Sequence, residues 1–158
     1  MNKSRLRNLL LQYFKGRHAH ITFEQAVEDI PFDQTGIRPE GLPHSCWELV
    51  KHIQLAQRDI IEFCRNADYE TPGWPDDYWP AEPKPASKEE WRETLSAIEQ
   101  DREMVASLVK DSDADFLAQI PHGSGQTLFR EVLLIIDHNA YHIGQIVQIR
   151  RLLRIWNK

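Results

Sequence analysis

Apolar residues recur three and four positions apart along four long stretches of the chain, the spacing of a helix that buries one face. The first starts near Asn2 or Lys3 and places Leu6, Leu9, Leu10, Tyr13 and Phe14 on a stripe. After Ser45, the residues Leu49, Ile53, Ala56, Ile60 and Phe63 predict a helix to about Asn66. After Ser87, Trp91, Leu95, Ile98, Val105 and Leu108 predict a helix to about Lys110. The last and longest begins near Thr127 and carries Leu128, Val132, Ile135, Ile146 and Ile149 toward Trp156, with Arg150, Arg151 and Arg154 suiting a helix C-terminus. Capping boxes, in which a Ser or Thr takes the amide three residues on while a Glu or Gln reaches back, occur at Thr22 with Gln25, Ser45 with Glu48, and Ser87 with Glu90. The Thr22 box opens a short helix with Phe23, Ala26, Val27 and Ile30, stopped by Pro31. Strand periodicity is missing, with Phe116 to Pro121 at most an extended lead-in to the last helix.

Two connections exceed the usual bundle loop. One runs from Pro31 to His44; the other, from Ala67 to Ala86, is proline-rich and contains the string TPGWPDDYWP. Trp74, Tyr78 and Trp79 make this second segment an ordered loop packed on the helices. The expected architecture is all-α: a four-helix bundle with a long crossover between its second and third helices, one domain over residues 1–158.

Composition narrows the function. At 158 residues the chain can bury a proper core. Its net charge of −5, with Lys and Arg scattered rather than clustered, gives no basic stripe for a phosphate backbone, so no nucleic-acid partner is expected. No apolar run is long enough to span a membrane, and the N-terminus carries no cleavable leader pattern, so a cytoplasmic location is expected. Cys46 and Cys64 fall in one predicted helix, roughly 27 Å apart, too far for a disulfide, and are read as free thiols.

The strongest chemical signal is a histidine trio. His138 and His142 stand at i and i+4 on one face of the last helix, in phase with Ile135, Ile146 and Ile149, His138 at the edge of the stripe. His52 shares the inward phase of the Ser45 helix. Such a pair is common by chance, but burial changes its meaning: an unpartnered polar group in an apolar interior costs about 1 to 3 kcal/mol, and one shared cation satisfies three imidazoles together. Neutral imidazole suits Zn, Ni, Fe or Cu, and three protein ligands leave a position open for water or substrate. Tyr141, Gln145, Asp137 and Asn139 flank the pair, while His44, His20 and His122 lie near helix starts, as further pocket candidates. His18 reads as a surface residue. Cys46, in a first helical turn, is a possible nucleophile by position, but the sequence sets no base beside it and packing is the preferred reading.

The segments HSCWELVKHIQLAQRDI and DHNAYHIGQIVQIRRLL resemble the DinB-like family, four-helix-bundle proteins that also take in bacillithiol transferases and mycothiol-dependent maleylpyruvate isomerase. AHITFEQAV and WPDDYWP extend the resemblance over nearly the whole chain, and HNAYHIGQ is its most specific part. It implies a divalent metal on His52, His138 and His142, a homodimer, and chemistry that joins a low-molecular-weight thiol to an electrophile, though no motif for a specific thiol is present. Two functions follow: a metal-dependent thiol transferase or hydrolase acting on a small molecule, or a non-catalytic, metal-stabilised binding or dimerisation module using Trp74, Trp79 and Trp156. A metal-free buried histidine cluster is the third alternative.

Overall fold

A computed structural model describes residues 2–16, 19–111 and 113–156, so His18 lies outside the described residues. The expected all-α fold holds. Five α-helices follow in order: α1 (Lys3–Phe14), α2 (Phe23–Val27), α3 (Cys46–Arg65), α4 (Lys88–Lys110) and α5 (Leu128–Leu152). Among the described residues the extended lead-in amounts to one isolated bridge, Gln119 to Thr127. Helix α3 packs on α4 and α5, α1 lies against both of those, and α2 leans on α5. No helix of the described residues is long and apolar enough to cross a membrane.

The helix starts obey the capping chemistry. Asn2, Thr22, Ser45, Ser87 and Thr127 each accept an amide of the first turn through their side chains. Full boxes form at Thr22 and Ser45. At Ser87 the box is half made, because the Glu90 carboxylate passes over the cap and takes the Ala86 amide instead.

Helix ends depart further from the pattern. Helix α2 stops at Val27 rather than Ile30, since Glu28 is already extended and Asp29 turns through a positive φ of 58° to bring Ile30 back into the core. Helix α5 stops at Leu152, short of Trp156. Arg154 adopts the left-handed conformation, the Ile155 amide donates to the Arg150 carbonyl at 2.9 Å and the Arg154 amide to that of Arg151 at 3.1 Å, a Schellman ending without its usual glycine. Arg150 is itself buried. Its guanidinium donates to the Ala26 carbonyl at 2.7 Å and so ties the end of α2 to α5.

Phase is mostly as predicted, with exceptions where a helix meets fewer neighbours than its apolar residues could serve. On α1 only Leu10 and Phe14 are buried, leaving Leu9 and Tyr13 about half exposed. Ile61 rather than Ile60 fills the core on α3, and Val109 rather than Leu108 on α4.

The core falls into two apolar clusters. One gathers α2 with Trp47, Leu49 and Ile53 of α3, Ile98 of α4, and Ile143, Ile146 and Ile149 of α5. The other joins Leu10 and Phe14 to Ile61, Val105, Val109, Val132 and Ile135. On each of three helices the polar residues fall between these clusters in sequence: Gln57 on α3, Asp101 on α4, and His138, Asn139 and His142 on α5. The interior is therefore layered, and the polar layer holds the site.

The crossover is fastened at both ends. The Tyr69 and Tyr78 hydroxyls reach the Asp59 carboxylate of α3. Near the far end the Ser45 hydroxyl donates to the Pro83 carbonyl at 2.7 Å and the Trp47 indole N–H to that of Glu82 at 3.2 Å. Here the backbone of Lys84 runs so close to Gly36 that an added Cβ would meet it within 2.9 Å, which leaves glycine as the residue that fits. Ser45 thus serves two partners at once, the Glu48 amide and Pro83. Replacing it, Ser45→Ala, is expected to lower unfolding stability by about 1 to 2 kcal/mol at unchanged denaturant slope, as measured by urea titration.

Candidate metal centre

One turn of α5 separates His138 from His142, and α3 brings His52 against them. His52 and His142 are buried at 3% and 7% exposure, and His138 is half-buried at the layer's edge. The rings converge, with centroids 4.9 Å apart for His52 and His138, 4.7 Å for His52 and His142, and 4.5 Å for His138 and His142. One ring nitrogen from each lies within 4.8 Å of the others, and the cluster could hold a metal ion.

Hydrogen bonds determine which nitrogens face inward. His52 Nδ1 lies 2.8 Å from the Tyr78 carbonyl, which can only accept, so Nδ1 carries the proton and Nε2 keeps its lone pair. His142 Nδ1 donates to Oε1 of Gln145 at 2.7 Å, with the same result. His138 Nε2 then sits 3.0 Å from His52 Nε2. Two lone pairs cannot face each other at that distance, so the gap takes either a proton on His138 or a cation shared by both. Zinc–nitrogen bonds of about 2.0 to 2.1 Å set the nitrogens of a tetrahedral site about 3.3 Å apart, close to the 3.0 Å between His138 and His52. The residues present fit a divalent ion.

Burial enforces the neutral state that ligation requires. Desolvation holds His52 and His138 below the ordinary histidine value and pushes His142 down to about 4, its bond to Gln145 opposing the shift and the neighbouring histidines adding to it. Trp79 completes the wall. Its indole is parallel to the His52 ring at 3.9 Å and to the His44 ring at 4.1 Å, and two imidazoles that close to one indole fit only on opposite faces. His44, half-buried, is likewise held below its ordinary value by desolvation. A cavity of about 70 Å³ lies against His44 and Gln145, lined by Leu42, Leu49, Gln148 and Ile149.

A family model for the DinB superfamily matches residues 17–146. The chain belongs to the DinB superfamily. No curated protein and no solved structure matches it. In this DinB-superfamily chain, then, the candidates read from sequence divide cleanly. His52, His138 and His142 come together, and Gln145 and His44 stand beside them. Tyr141, 66% exposed, sets its ring 5.1 Å from that of His142 at the outer edge.

His20 and His122 do not join the cluster. Both are exposed; His20 lies against the neighbouring Ile21 carbonyl at 2.7 Å and His122 against that of Phe63 at 2.6 Å, where each ring serves its loop. Asp137 is exposed. Cys46 packs in the apolar core, and burial pushes its thiol up to about 12, which removes it as a nucleophile.

Asn139, a flanking candidate in the sequence, joins two polar residues of the layer that sequence reasoning missed, Gln57 and Asp101. Asn139 Nδ2 donates to Gln57 Oε1 at 3.1 Å, and Gln57 Nε2 donates to the Ile98 carbonyl at 3.1 Å. Asp101 is fully buried and pairs with Arg58; burial pushes its carboxyl up to about 6 against the pull of that guanidinium. The signal was present in the phase, since Gln57 and Asp101 occupy inward positions of α3 and α4.

The depressed histidines bind protons more readily in the unfolded chain than in the fold, so stability is full above pH 6.5 and declines as pH falls toward 4. Melting temperatures of chelator-treated protein should fall across that window, and less steeply in His142→Asn. Equal slopes would mean that His142 is not held neutral by the fold.

Proposed function

We propose that His52, His138 and His142 hold a divalent ion, Zn, Ni or Fe, through their Nε2 atoms, and that the protein is a metal-dependent enzyme acting on a small molecule, a thiol-dependent transferase or a hydrolase. The observation that carries this reading is the pair of Nδ1 protons on His52 and His142, both handed to acceptors outside the trio, so that lone pairs converge on one point in a desolvated pocket. Membership in the DinB superfamily agrees with it. A bound divalent ion supplies Lewis acidity and lowers the pKa of a coordinated thiol or water.

The chain's own groups define the surroundings. Trp79 and its stacked partner His44 keep water from one side of His52. Gln145 holds the His142 ring in orientation from the same helix. The small cavity beside His44 and Gln145 offers room for part of a substrate, and Tyr141 stands exposed against the outer edge of His142. A small thiol cofactor fits this reading as the species activated at the open position.

The alternative, a metal-stabilised module without catalysis, draws support from the 73% exposed indole of Trp74 and from Leu133 and Leu134 on the outer side of α5, surfaces suited to a second copy of the chain. Trp79 and Trp156 do not serve it, since the first is stacked in the site and the second lies under the Arg150 guanidinium at 4.7 Å. Tag-free protein should purify with stoichiometric divalent metal by elemental analysis, and His142→Ala should lose both the metal and turnover in a screen of thiols against electrophiles. Turnover that persists without metal would sink the enzyme reading; a large chelator-induced drop in melting temperature with no turnover at all would favour the module.

A further inference from the structure

His52 and His142 can meet an ion with their protons where they already are, but His138 cannot. Its Nε2 is available only when the ring proton sits on Nδ1, and the acceptor facing that nitrogen is Oδ1 of Asn139, at 3.5 Å. A primary amide can present oxygen or nitrogen to a neighbour, and its surroundings decide which. Here the decision is made two residues away. Gln57 Nε2 faces the Ile98 carbonyl, which can only accept, and this turns Gln57 Oε1 toward α5. That oxygen takes the Asn139 Nδ2 group, which turns Asn139 Oδ1 toward His138. Gln57 is 1% exposed, so water cannot compensate for a flip of its amide, and flipping either amide would set oxygen against oxygen.

We propose that Gln57 and Asn139 are positioning residues, a directional amide relay running from α4 through α3 to α5 that accepts the Nδ1 proton of His138 and thereby frees its Nε2 for the metal. The inference rests on the metal reading above and names the residues that complete the third ligand. Partners of this kind behind a ligating histidine are worth about 10- to 100-fold in metal affinity.

Zinc affinity, measured by competition with a chromophoric chelator, and the imidazole N–H resonances of zinc-loaded, ¹⁵N-histidine-labelled protein test it together. The wild type should show a protected Nδ1–H for each of the three histidines. Asn139→Leu, at a half-exposed position, and Gln57→Leu should each bind zinc about 10-fold or more weakly and lose protection at His138, while His52 and His142 keep theirs through Tyr78 and Gln145. Asn139→Asp, which retains an acceptor for Nδ1–H, should recover the His138 resonance and much of the affinity lost in Asn139→Leu. A wild type that takes up no zinc overturns the metal reading and the relay with it. A wild type that binds zinc, with leucine variants that bind it as tightly or that lose protection at all three histidines together, overturns the relay alone.

Discussion

A neutral imidazole placed in an apolar interior carries one proton and one lone pair, and both must be spent on partners, because neither has water to fall back on. Three such rings meet between α3 and α5, and much of the surrounding structure reads as the supply of acceptors for their protons. A crossover carbonyl serves His52, a glutamine one turn along α5 serves His142, and an amide chain from α4 stands behind His138. With the outward nitrogens engaged, the inward ones have little left to face but each other or a cation. The layering of the core follows from the same need. Apolar clusters on either side exclude solvent, and Gln57, Asp101, His138, Asn139 and His142 fall between them, with His52 reaching in from the first cluster.

Electrostatics and stability are joined in this layer. Desolvation keeps the histidines unprotonated, the state that binds a metal, and it also makes the fold lose stability when they are forced to charge. Asp101 shows the opposite case. Fully buried, it retains its place by pairing with Arg58, which offsets the cost that a lone buried charge would carry.

The helices were legible in the sequence because their starts are written in short-range chemistry: a hydroxyl or amide side chain and an apolar run of helical period. Their ends were less so. Arg154 takes a left-handed turn that glycine usually marks, and Asp29 does the same before Pro31, so neither stop carried its customary sign. The histidine trio was legible since phase alone placed His52, His138 and His142 inward. Of the polar residues around them, Gln145 and Asn139 stood out beside the trio, whereas Gln57 and Asp101 occupy inward positions whose use shows only when the facing helix is known. His20 and His122 illustrate the converse: near a helix start in sequence, each is held away from the cluster, His20 by the neighbouring Ile21 carbonyl and His122 by the Phe63 carbonyl of α3.

The crossover divides into two parts with different freedoms. Tyr78 and Trp79 are committed to the site, one through its carbonyl and the other through both faces of its indole. The stretch between the Tyr69 and Tyr78 anchors runs over the surface, with Trp74 largely in solvent. Such an arrangement separates the part that fixes the histidines from the part that meets solvent. The outer stretch can lengthen, shorten or change its side chains without disturbing a single imidazole, so one helical frame can present different outer surfaces by rewriting a segment of about ten residues.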